Sequence, residues 1–191
     1  MIKRQAFQKQ LLTLYQEKMV KKDKVVVEIQ LGRKLRSELE VSCRCHLNLP
    51  AVIKVPPRLK DNTPFPTTYW LTCPMLNRKI GALESHGLIK EIDKQLKVNS
   101  QLKSLWKRRQ DSYKNERDSL ETEDTYPKAK GGVGGAQNSI KCLHSHTADE
   151  LSTGMNSVGK IVLESIGTFN CEEPCIDIEF MEKNESWSLV W

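Results

Sequence analysis

Cysteine and histidine carry most of the reactive chemistry in this chain, and they gather in four places. Cys73 precedes Pro74. Proline is favoured at the first position of a helix, so this pair reads as a helix entry with Cys73 at the cap. Backbone amides and the helix dipole stabilise a thiolate there, which suits a nucleophile or a metal ligand. The plainer alternative is a cysteine filling a small apolar site beside Trp70 and Leu71. The run Lys141-Cys142-Leu143-His144-Ser145-His146 joins a thiol to two imidazoles, the usual ligands of zinc. On a regular helix Cys142 and His146 share a face, while His144 lies with Ile140, Thr147 and Leu151. Two of the three can then meet one ion, and His144 joins only if the helix begins late. The alternative is one core histidine and one surface histidine.

The other two runs are less specific. Cys43-Arg44-Cys45-His46 is not a finger knuckle, and on a strand both cysteines point one way and His46 the other. Cys171-Glu172-Glu173-Pro174-Cys175 has a spacing compatible with a metal that also arises by chance. Nowhere do two C-x2-C pairs occur, and neither a Walker loop nor a G-x-S-x-G elbow is present. The glycine run Gly131-Gly132-Val133-Gly134-Gly135 reads as a mobile connector, with a phosphate cradle as the weaker alternative.

The elements that must position these groups are mostly helices. An amphipathic helix is expected over 2–22, from Phe7, Leu11, Leu14 and Tyr15 at helical spacing. A short helix from Asp23 to Leu31 follows, stopped by Gly32, although Val25-Val26-Val27 argues for a strand. Glu38–His46 and Pro50–Val55 form a hairpin turning at Asn48, closed by Pro56-Pro57. Phe65 to Leu71 is extended, and helices follow over 74–86, 88–98 and 100–120. Gly87 stops the first of these, and Leu102, Leu105, Trp106 and Tyr113 form a stripe on the last. After the glycine loop come helices from Ser139 to Leu151 and from Asn156 to Ile166. A terminal hairpin pairs Cys175–Phe180 with Ser186–Trp191. The fold class is α+β, mainly helical, with a hairpin in the N-terminal half and another at the C-terminus.

The longest apolar run falls well short of the 18 or more residues of a membrane span, and the N-terminus does not have the pattern of a secretory signal. The expected location is the cytoplasm, where six cysteines stay reduced. Charge is unevenly placed, at +13 over residues 1–120 and −7 over 121–191. The basic stretches 2–22 and 103–117 offer contacts to nucleic acid or an acidic partner, and lysine-rich solvated helix faces are the plainer reading.

Three blocks together carry a family resemblance. They are Leu31-Gly32-Arg33 leading into Arg44-Cys45, the long run Thr63-Pro-Phe-Pro-Thr-Thr-Tyr-Trp-Leu-Thr-Cys73-Pro74, and Lys141-Cys142-Leu143-His144. Asn156-Ser-Val-Gly159 adds a fourth. They resemble a bacterial family catalogued as domain of unknown function 501, across about residues 28–165. The resemblance brings no established activity, but its blocks single out Cys45, Cys73, Cys142 and His144. His146 and Cys43 stand outside that pattern. The resulting expectation is a basic helix over 1–22, a core over 23–168 and a terminal extension over 169–191. The core would hold a structural zinc on Cys45, Cys73, Cys142 and His144, a closed three-thiol, one-imidazole set. The same thiols, with Cys175, could instead hold an iron–sulfur cluster. Cys43, Cys171 and Cys175 are otherwise assigned to packing. The alternative functions are a cysteine-dependent enzyme and a basic interaction module. In the enzyme, Cys73 is the nucleophile, His144 or His146 the base, and Thr72 with the glycine loop the anion contacts.

Overall fold

The computed structural model describes residues 19–121, 127–168 and 170–188. It opens with helix α1 across 19–31, which runs straight through Asp23, so no cap divides it there. Its predicted forerunner over 2–22 lies largely outside the described residues. The three valines at 25–27 are helical because Val26 and Val27 bury against two apolar clusters, which overrides their strand preference. Gly32 ends the helix with φ of 67°, a left-handed angle that glycine adopts at no steric cost.

Three antiparallel strands follow in the order β1 (Glu40–Arg44), β2 (Pro50–Lys54), β3 (Tyr69–Leu71). Asn48 takes the turn, with φ of 60°. Val52 pairs with Leu71 and Ile53 with Trp70. Alternation along β2 sends Val52 to the main helical core and Ile53 to a second cluster under α1, so the central strand is covered on both faces. Irregular register on either side of Cys43 breaks the expected alternation of β1. Cys43 packs on the main core while Cys45 packs beside Val26, Leu49 and Ile176.

Helices α2 (Pro74–Ser85), α3 (Leu88–Val98) and α4 (Ser100–Asp118) follow, with Cys73 capping α2 and Gly87 separating α2 from α3. Trp106 and Tyr113 of the predicted stripe are buried, whereas Leu105 is exposed. The Tyr113 hydroxyl accepts the Thr68 amide at 2.6 Å, fixing α4 to the approach of β3.

The glycine run is a packed turn, not a mobile connector. A Cβ on Gly132 would fall 2.8 Å from the Gln110 carbonyl oxygen, so only glycine lets this loop lie against α4. The Val133 amide donates to Gln110 Oε1 at 2.9 Å, and buried Arg117 donates to the carbonyls of Ala129 and Gly131. The amides of Gly132 and Gly135 are bonded within the loop, which argues against a phosphate cradle.

Helix α5 (Leu143–Thr153) begins four residues later than expected, with Cys142 at its cap, and α6 (Ser157–Ile166) is capped by Asn156. The two helices touch through Gly159, where a Cβ would fall 2.2 Å from the His146 carbonyl oxygen. The terminal hairpin pairs β4 (Ile176–Asp177) with β5 (Glu182–Lys183), earlier than the expected Ser186–Trp191. Of the alternating Ile176, Ile178 and Phe180, Ile176 is buried and the other two are exposed, because 178–181 form the turn. Residues 189–191 lie outside the described residues. No described helix is long and apolar enough to cross a membrane.

Candidate metal centre

The late start of α5 decides which groups meet. With Cys142 as cap, its side chain and that of His144 in the first turn come together, at 3.8 Å from Sγ to Nδ1. Helix α2 supplies the third group. Glu84 Oε1 lies 3.3 Å from His144 Nδ1 and accepts the Leu143 amide at 2.7 Å. One ligand atom from each of Glu84, Cys142 and His144 lies within 4.8 Å of the others, and all three residues are half-buried.

The tautomer of His144 follows from its other nitrogen. Nε2 lies 3.1 Å from the Asn77 carbonyl oxygen, which can only accept, so Nε2 carries a hydrogen. In the neutral ring the Nδ1 lone pair then faces Cys142 and Glu84. A backbone carbonyl that fixes the far nitrogen of a ligating imidazole is the usual support of a metal-bound histidine.

The electrostatics agree. Burial acts to raise the Cys142 thiol, but hydrogen bonds from His144 and from Ser145 outweigh it and hold the thiol below its ordinary value. The Cys142 contact raises His144 to about 9, against the opposing effect of burial. Each group thus favours the charged form of the other, the thiolate beside the imidazolium.

The remaining expected groups lie elsewhere. Cys73 caps α2 as predicted, but burial pushes its thiol up to about 11 although the Met75 and Leu76 amides act to lower it. Desolvation outweighs the helix terminus there, so the acidified thiol is Cys142 and not Cys73. The buried Thr72 hydroxyl is committed to the Pro50 carbonyl. Neither Cys45 nor Cys73 belongs to the group around His144; both line a cavity on the far end of α2, with Cys171 and Cys175.

His146 is fully buried and points into a polar network between helices. Its Nδ1 meets Asn156 Oδ1 at 3.0 Å; Asn156 donates to Asp149, and Asp149 receives two bonds from Arg109 at 2.8 Å. Burial lowers His146, leaving it neutral and structural. In the basic stretch 103–117, Arg109 and Arg117 are likewise buried in structural bonds, which leaves Lys103, Lys107, Arg108 and Lys114 exposed.

Sequence reasoning missed Glu84. Its one signal is that it is the sole acidic side chain of α2, seven residues after Asn77 and so on the same helical face.

Among known families, the one described as protein of unknown function (DUF501) matches this chain over residues 41–164, about two thirds of its length. No curated protein and no solved structure matches it.

Proposed function

The chain belongs to that family, and we propose that it is a metal-binding protein whose centre is Glu84, Cys142 and His144, with zinc as the metal. The carrying observation is the convergence of a carboxylate, a thiol and an oriented imidazole within 4.8 Å, from two helices. Thiolate, imidazole and carboxylate together suit zinc better than magnesium or calcium, which take oxygen ligands. Three protein ligands leave a fourth position for water or substrate. The centre is therefore of the open kind, where zinc acidifies water or polarises an oxygen, and differs from the closed structural set expected from sequence. The experiment is metal analysis of the full chain and of His144→Ala and Cys142→Ser, each checked for folding by thermal melting. Loss of one equivalent of zinc in both variants supports the centre; identical metal content in all three proteins refutes it.

A second reading uses the same atoms without metal. Cys142 sits at a helix N-terminus with its thiol lowered and His144 beside it, the arrangement of a cysteine nucleophile. Activity retained through exhaustive chelation would favour it.

A further inference from the structure

Five of the six cysteines lie outside the centre above, and four of them gather around one cavity at the other end of α2. A cavity of about 270 Å³ is lined by Cys45, Cys73, Cys171 and Cys175, with Cys43 and His46 at its wall. The four reach it from three separate places. Cys45 follows β1, its amide bonded to the Leu49 carbonyl; Cys73 caps α2; Cys171 and Cys175 lie on the C-terminal segment. The first two fall within the family match and the last two beyond it, so this chain's extension completes what its core begins. All are free thiols.

We propose that Cys45, Cys73, Cys171 and Cys175 form a second, all-thiolate metal centre that fastens the C-terminal segment to the core. Residues 170–188 contain two strands of two residues each and bury Ile176 as their one core hydrophobic. So small an apolar contribution needs a cross-link to hold one position. Two side chains already tie this segment to the core. Gln30 Nε2 lies 3.7 Å from Cys175 Sγ and also donates to the Pro50 carbonyl at 2.9 Å. His46 Nε2 lies 2.9 Å from the Cys171 carbonyl, tying the segment to the hairpin.

Thiolate sets of four take either one zinc ion or an iron–sulfur cluster. Sulfurs on one zinc sit roughly 3.5–4 Å apart. Among the described residues, no three ligand groups outside the Glu84 site lie within 4.8 Å of one another. A single zinc therefore requires the 171–175 turn to draw inward, whereas a cluster, whose irons stand between the thiolates, takes them further apart.

This centre does not rest on the Glu84–Cys142–His144 reading, and the test separates them. The full chain is purified anaerobically, then titrated with zinc and, separately, reconstituted with ferric iron, a thiol reductant and sulfide. Iron with acid-labile sulfide and visible absorption identifies a cluster; one colourless equivalent identifies zinc. Either must vanish in Cys171→Ser/Cys175→Ser and persist in His144→Ala. Zinc held at His144 by the double variant reports that it is folded, and so does an unchanged melting transition of its core. Wild-type Cys73 should also be protected at least tenfold from a thiol reagent by the bound metal. Metal content and Cys73 protection unchanged in the double variant would overturn the proposal.

Discussion

At the scale of residues, two cysteines share a position type and differ in environment. Cys73 and Cys142 both precede the first residue of a helix. Their helix ends act alike, yet burial dominates at Cys73 and the imidazole of His144 decides at Cys142. In metal-free protein Cys142 should therefore react with iodoacetamide faster than any other cysteine at neutral pH. Its rate profile should turn over below 9.0, the ordinary thiol value. The His144 imidazolium persists below about 9 and is lost as pH rises through it. His144→Gln should lower the neutral-pH rate about tenfold and move the turnover upward, read by mass spectrometry of the labelled peptide; equal rates at Cys142 and Cys73 would contradict this. Residue types marked the run from Cys142 to His146, and the family resemblance singled out Cys142 and His144 within it. Glu84 could not be read that way, because its partner lies 60 positions on and its one local mark, being the sole acidic residue of α2, names no partner.

At the scale of elements, the centre exists because α5 starts at Leu143. Started at Ser139, as the sequence suggested, the helix would put Cys142 and His146 on one face and leave His144 apart. What stops the earlier start is tertiary: the Ile140 amide donates to Asp93 at 3.0 Å, and the Leu143 amide to Glu84. Two glycines set the neighbouring contacts. Gly159→Ala would push a methyl into the α5 backbone and should cost about 1–3 kcal/mol, as overpacking does. Gly132→Ala should cost a similar amount by forcing the loop off α4. Chemical denaturation measures both, and a change under about 0.5 kcal/mol, the range of ordinary surface substitutions, would show that the contacts give way. The turn and cap residues Asn48, Gly87 and Cys73 were legible, since each acts through its own backbone, and so was the helix start at Asn156, whose side chain accepts the Gly159 amide. The irregularity in β1 and the early β4–β5 pairing were not, because both depend on what the strands pack against.

At the scale of the whole molecule, one buried network holds α4, α5 and α6 together. Arg109 and Asp149 are 3% and 0% exposed in their side chains, and Asn156 bridges Asp149 to His146. Asp149→Ala leaves a buried guanidinium with Glu116 as its one remaining carboxylate partner among the described residues and should destabilise by about 3–5 kcal/mol. Because α5 carries both Asp149 and the Cys142–His144 pair, zinc should raise the melting temperature of this variant as it does the parent's, by mass action. A variant that melts like the parent would show that the network contributes little. The family match ends at residue 164, before the segment that bears Cys171 and Cys175.

The most direct test of the central claim is cobalt substitution of the full chain, followed by absorption spectroscopy. Cobalt replaces zinc in such sites and reports thiolate ligation as an intense near-ultraviolet band. We predict a band that diminishes by one thiolate's share in Cys142→Ser, and a visible ligand-field spectrum that changes in His144→Ala and in Glu84→Gln. Spectra identical to the parent's in all three variants would contradict a metal centre at Glu84, Cys142 and His144.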